Sequence, residues 1–505
     1  MTLPPPDPWA PPIWAPPPRQ SLPPPPPPAG WMPTGYPPAQ PRKRNWLPLV
    51  AILIVGGFLW VVINPRGGAR QAAVPKAWDP RVTELAMFVE NERGLKFKHP
   101  VPFEFMTEEQ FVAAITDIRP KANPARDQVH EAVLRARGFV GPDYNSAKAE
   151  EDFVSNVTGY YDDVDKKMRV RGTELTPYAK VTIVHELTHA LQDQQFSIKK
   201  VRNGIESDEQ DFAVRSLLEG DARDIENAYV NSLSDTEQNA VYDAEHPAGS
   251  NALDNTPDAL QVQFGAPYEL GALMVGTLRH IGGIDRLNAA FRTPPRDEAA
   301  VVLPFVPETQ SNVPLSPFEG DVAAKALPPA DLFGYQSVGT LSTFLTLSSR
   351  LDPISAWRAA TGWGDEVIRV VRRNDQICVD TRVGGKTTAD TALLGRAYQE
   401  WAQLGLQAKV TADNDSVLVE SCDPGAAAPV PKTGIFEAIY RLSQTDQVLY
   451  RHAERDGLKD QKRASCAVLG GHLVIDGTTL DDEVFRTGDL PPELGAQATQ
   501  AAQGC

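Results

Sequence analysis

Residues 176–196 read TPYAKVTIVHELTHALQDQQF. Thr176 followed by Pro177 marks a helix start: the threonine hydroxyl accepts from an orphan N–H, and proline costs nothing at the first helical position. Ile183, Val184, Leu187, Ala190 and Leu191 leave much of this helix apolar, so it reads as buried, and its polar residues need partners. Those residues include His185, Glu186 and His189. Histidines four apart share one helix face, about 6 Å from each other, so both imidazoles reach a single ion at the zinc–nitrogen distance of about 2.0–2.1 Å. Glu186 is turned about 100° from His185, beside such an ion rather than on it, where its carboxylate can take a proton from water. The pattern points to one Zn2+ ion, with His185 and His189 as ligands and Glu186 as the catalytic base.

Two histidines leave the third protein ligand to be found. A continuation HExxHxxGxxH would need Gly at 192 and His at 195, and both positions are glutamine. Downstream, Ser207-Asp208-Glu209-Gln210 is a capping box that opens a second helix, whose residues Val214, Leu217, Leu218, Ala222, Ile225 and Tyr229 follow helical spacing. Its polar interruption is Glu219-Gly220-Asp221. Glu219 is taken as the third ligand, with Asp221 or His246 as substitutes, and Gly220 as the residue that lets helix and metal approach closely. A salt bridge from Glu219 to Arg215 or Arg223 is the bland alternative. Asp193, one turn after His189, is a candidate acceptor for that histidine's free N–H. Tyr268 and His280 bracket a further predicted helix over 268–280, and either is a candidate donor to a developing oxyanion. His280 also suits a helix C-terminus before Gly282 and Gly283.

Composition divides the chain in two. Of its 46 prolines, 19 fall between Pro4 and Pro41, while the net charge of −16 splits into +3 for residues 1–45 and −19 for the remainder. An acidic body of that size argues against a phosphate-binding surface, and no nucleic-acid partner is expected. Residues 1–45 read as a disordered tail in polyproline II, either docked on an aromatic-lined groove of a cytoplasmic partner or serving as an inert spacer. Residues 46–64 follow, where the uncharged run WLPLVAILIVGGFLWVVI is just long enough to cross the bilayer as one helix, with Trp46 and Trp60 at the interfaces. Arg42, Lys43 and Arg44 before the span, against Arg66 and Arg70 after it, place the N-terminus in the cytoplasm and the body outside. Cys378, Cys422, Cys466 and Cys505 all lie beyond the span, with no CxxC spacing, which fits disulfides on an oxidising side. Pairing Cys378 with Cys422 and Cys466 with Cys505 is preferred on chain order.

The expected class is α+β. After a linker over 65–80, residues 81–350 form a mainly helical metal-binding domain with a small edge sheet. In that sheet Gly159-Tyr160-Tyr161-Asp162 and Met168-Arg169-Val170 make two short strands about a turn, either a substrate-pairing edge or an ordinary hairpin. Residues 351–505 form a smaller cysteine-containing α+β unit, with strands over 366–372, 376–383 and 416–422 and a helix over 388–404.

With His185-Glu186-Leu187-Thr188-His189-Ala190 and a glutamate on the following helix, the sequence resembles the gluzincins, the thermolysin-like zinc metallopeptidases. In this chain 29 residues separate His189 from Glu219, a longer interval than in the best-known members. More closely, it is similar to a group of bacterial predicted membrane-associated HExxH proteases with the order GYYD, HELTHALQDQ, EGDA, PY-x-x-G, PP and GWG. These stand here as Gly159 to Asp162, His185 to Gln194, Glu219 to Ala222, Pro267 to Gly271, Pro294-Pro295 and Gly362-Trp363-Gly364. The resemblance spans roughly residues 80–405, and within it only the zinc motif is highly specific. It implies a membrane-anchored, zinc-dependent endopeptidase acting on an extracytoplasmic protein or peptide. The competing class is a catalytically idle, metal-stabilised envelope scaffold or binding protein, against which the intact Glu186 counts.

Overall fold

The computed structural model describes residues 72–118, 123–149, 157–205, 207–245, 256–306, 325–326, 339–405, 407–455, 457–458, 460–471 and 490–502. In chain order, α1 (Thr83–Arg93) leads to β1 (Phe103–Met106), α2 (Glu108–Ile118) and α3 (Pro124–Ala136). A hairpin of β2 (Gly159–Asp162) and β3 (Lys167–Arg171) precedes α4 (Pro177–Phe196), which carries the histidine pair. Then come α5 (Ile198–Val201), α6 (Asp208–Ser232), α7 (Asp235–Glu245), α8 (Asp258–Arg292) and α9 (Ala299–Val302). The remainder runs β4 (Lys325–Ala326), α10 (Thr340–Ser348), α11 (Pro353–Ala360), β5 (Trp363–Arg373), β6 (Gln376–Gly385), α12 (Thr388–Gln403), β7 (Gln407–Ala412) and β8 (Val417–Cys422), then α13 (Ile435–Arg455), α14 (Gln461–Gly471) and α15 (Pro492–Ala502).

The α+β class is as expected. Two sheets are present: a three-stranded one in the order β1-β3-β2, with β1 parallel and β2 antiparallel to β3, and a five-stranded antiparallel one in the order β4-β5-β6-β8-β7. The sequence reading anticipates β2 and β3 but not β1. It likewise anticipates β5, β6, α12 and β8, and misses β7. Among the described residues no helix is long and apolar enough to cross a membrane. The span expected at 46–64 and the proline-rich tail lie outside the described residues, as do His246 and Cys505. Cys378 and Cys422 face each other in the register of β6 and β8 and form the expected disulfide. Cys466 is disulfide-bonded as well.

Helix α4 starts as its sequence dictates, with the Thr176 hydroxyl accepting from Ala179 N–H at 3.1 Å and Pro177 in the first turn. Every residue from Val181 to Asp193 is buried, so this is a central helix with no solvent face. Its apolar side chains Val181, Ile183, Val184 and Leu187 share a cluster with Val89 of α1 and Met168 of β3. On the other side lies α6, whose N-cap Ser207 accepts from Gln210 N–H as the capping box requires. The larger apolar cluster extends from Leu217 of α6 and Leu270 of α8 to Trp357, Trp363 and Trp401. It therefore draws on residues from both sides of position 350.

Helix α8 is longer than the expected 268–280 segment and continues past a break at Gly282 and Gly283, the latter at φ 65°. Its contact with α6 explains Gly220. A Cβ on Gly220 would lie 2.1 Å from the carbonyl carbon of Gly271, and one on Gly271 would lie 2.3 Å from Ser216 O. Gly220 thus serves a backbone-to-backbone helix crossing rather than an approach to metal. Gly220→Ala must push the two helices apart, and a loss of about 3 kcal/mol or more in urea unfolding is expected, because overpacking at backbone has no rotamer escape. A Gly220→Ala protein as stable as the wild type would contradict this account of the crossing.

Candidate metal centre

The crossing of α4 and α6 brings His185, His189 and Glu219 together, each 0–1% exposed. His185 Nε2 and His189 Nε2 are 3.1 Å apart, and each lies 3.2 Å from Glu219 Oε2. The opposite ring nitrogens are committed elsewhere. His185 Nδ1 stands 3.0 Å from Glu226 Oε2, and His189 Nδ1 stands 3.0 Å from Gln192 Oε1. Both partners are acceptors, so both Nδ1 atoms carry hydrogen, and each ring turns its Nε2 toward Glu219. Two imidazole nitrogens and a carboxylate oxygen then meet in a buried interior, an arrangement that calls for positive charge among them, from a proton or from a metal ion.

The same demand is visible in the titration of these groups. For His185, burial lowers the pKa, but hydrogen bonds to Glu219 and Glu226 outweigh it and hold the imidazole at about 10. For Glu219, burial works upward, yet the charge of His189 and the bonds from both histidines bring the carboxyl to about 2. The site can hold a metal ion. Two ligands at about 2.0–2.1 Å and tetrahedral angles lie about 3.3 Å apart, close to the triangle observed, so the donor set fits zinc.

Glu186 lies at the side of this triangle. Its Oε2 accepts from Tyr161 N–H of β2 at 2.8 Å, while its Oε1, though buried, has no hydrogen-bond partner. Burial raises its pKa, with the charges of His189 and His185 pulling the other way. The hairpin is therefore tied to Glu186: β2 is an edge strand, but all four of its residues are buried, and Tyr161 N–H is already used. Gly159 opens the strand because a Cβ there would come 2.9 Å from Thr182 Cγ2 of α4.

Several sequence expectations change. Asp193 does not hold His189: it accepts from the Tyr161 hydroxyl at 2.9 Å, from Ile198 N–H at 3.1 Å and from Lys166 at 2.6 Å, which turn it away. Gln192 takes that role. Asp221 is not a ligand either, since it is buried in an ion pair with Arg93 at 2.8 Å. Nor does Arg223 bridge to Glu219. It binds Glu226 on its own helix and Glu269 of α8, the latter at 2.9 Å. Tyr268 stacks on His185, with ring centroids 5.9 Å apart. His280 pairs with Glu454 at 2.6 Å, twelve residues or about 18 Å along α8 from Tyr268, too far to serve the site. Glu226 was legible in principle: it lies seven residues after Glu219, hence on the same helix face.

Compared with protein-family models, curated proteins and solved structures, the chain matches none of them.

The Arg223 cluster yields a stability test. Replacing Arg223 by Met leaves Glu226 and Glu269 buried without their cation, and denaturant unfolding is expected to show a loss of about 3–5 kcal/mol. A loss under about 1 kcal/mol would mean that the two carboxylates need no counter-charge.

Proposed function

We propose that the chain is a zinc-dependent endopeptidase that hydrolyses peptide bonds of an extracytoplasmic protein or peptide, anchored by residues 46–64 with its N-terminus in the cytoplasm. The observation that carries the reading is the pairing of a triad able to hold a metal ion with a neighbouring carboxylate, Glu186, whose Oε1 is buried and unpartnered. His185, His189 and Glu219 would hold the ion, which when bound supplies Lewis acidity toward a carbonyl and a lowered pKa for water. Glu186 Oε1 takes the proton from the attacking water and passes it to the leaving nitrogen. Tyr161 N–H fixes the second oxygen of that carboxylate, so the base is oriented before substrate arrives. The same N–H steadies the negative charge that the base carries in its resting state.

An idle scaffold needs the triad but has no use for Glu186. A buried carboxylate with an unsatisfied oxygen costs stability, and a metal site kept only for folding would lose nothing by replacing it with an apolar residue. Glu186→Gln is expected to lower kcat on a casein or peptide-library substrate by about 10²–10⁴-fold. Elemental analysis of the same protein should still find one zinc per chain. Full activity in Glu186→Gln would exclude this mechanism, and less than about half an equivalent of zinc in a well-folded wild type would exclude the metal reading.

The membrane arrangement is tested separately. In intact, mildly reduced cells a membrane-impermeant thiol reagent is expected to label Cys505. Labelling that appears only after permeabilisation would put the body on the cytoplasmic side.

A further inference from the structure

The side chain of Gln192 is 1% exposed and makes three hydrogen bonds. Its Nε2 donates to Leu218 O at 3.0 Å and to Asp221 Oδ2 at 3.0 Å, while its Oε1 faces His189 Nδ1 at 3.0 Å. A carboxamide can be turned over with little change of shape, so what fixes its orientation is the chemistry of its neighbours. Leu218 O and the Asp221 carboxylate can only accept. Turning the amide over would set its oxygen against both of them, acceptor against acceptor, and remove both hydrogen bonds that Gln192 makes to them. Asp221 is itself held by Arg93, whose Nε donates to it at 2.8 Å across 128 residues of sequence.

The consequence runs through to the ligand. With Oε1 forced toward His189, the imidazole must present N–H at Nδ1, which leaves the Nε2 lone pair directed at Glu219 Oε2 and His185 Nε2. We infer that Gln192 is a positioning residue: clamped by Asp221 and the Leu218 carbonyl, it selects the His189 tautomer that can ligate the ion. The inference rests on the metal reading above and adds to it a switchable element remote from the ion. His185 has no such element, because the Glu226 carboxylate behind it accepts in either orientation.

The test uses the full-length chain and zinc alone, with affinity measured by competition against a chromophoric chelator. Wild-type protein comes first, since failure to bind about one zinc there defeats the metal reading and not this step. Gln192→Met keeps the volume but removes the acceptor, and zinc affinity is expected to fall about 10- to 100-fold. A second measurement reads the ring nitrogens of His189 directly, by 15N NMR of the zinc-loaded wild type. Zinc on Nε2, with Nδ1 keeping its hydrogen, is expected. A purely structural role for Gln192 would leave the affinity of Gln192→Met at the wild-type value, and that result overturns the inference. Zinc ligated through His189 Nδ1 overturns it as well. If Gln192→Met does not fold, the nitrogen signals of the zinc-loaded wild type decide alone: Nδ1–H with ligation through Nε2 supports the inference, and ligation through Nδ1 overturns it.

Discussion

Two imidazole nitrogens and a carboxylate oxygen converge to 3.1–3.2 Å in a buried interior, and most of what surrounds them keeps them there. The histidines are fixed by α4, which is buried on every side and has no freedom to rotate toward solvent. Glu219 is fixed by α6, and its neighbour Gly220 is pressed against the backbone of α8. No rearrangement of a single side chain relieves the convergence. Positive charge placed at the centre of the triangle does, whether carried by a proton or by a metal ion.

Behind the triangle lies an outer layer of charge that is equally buried. Arg223 joins Glu226 and Glu269, and Arg93 joins Asp221, so each histidine is backed by an acceptor that is in turn paired to an arginine or held by such a pair. The two arms differ in charge. Glu226 places a carboxylate behind His185, whereas Gln192 places a neutral amide behind His189. A carboxylate makes its histidine the more basic donor of the two, so the ion would be bound by ligands of unequal strength.

Much of this was legible in residues close together in sequence. Thr176 with Pro177, and Ser207 with its capping box, mark the starts of the two helices because caps are local chemistry. The spacing of His185 and His189 fixes a shared face, and Glu219 is found because it interrupts an apolar helix next to a glycine. Elements set by distant partners were not legible. The four residues of β1 become a strand only by pairing with β3 some sixty positions later. Arg93 meets Asp221 across 128 residues, so no local pattern marks either one. Asp193 was misread for a similar reason: the three donors that occupy it come from β2, the turn before β3 and the start of α5. The reach of α8 through Gly282 and Gly283 reflects the same limit, since two glycines read locally as an end.

The contact between Gly220 and Gly271 has a mechanical meaning as well. Where side chains separate two helices, a small sliding motion can be absorbed by changing rotamers. Here backbone rests on backbone, so α6 and α8 move as one piece. Glu219 sits one residue before the contact on α6, and Tyr268 and Glu269 sit two to three residues before it on α8. A ligand, the ring stacked on His185 and the anion facing Arg223 are thus carried on one rigid frame. Any motion relative to that frame has to be one of the hairpin and α4, and the tie between Tyr161 and Glu186 couples those two elements to each other.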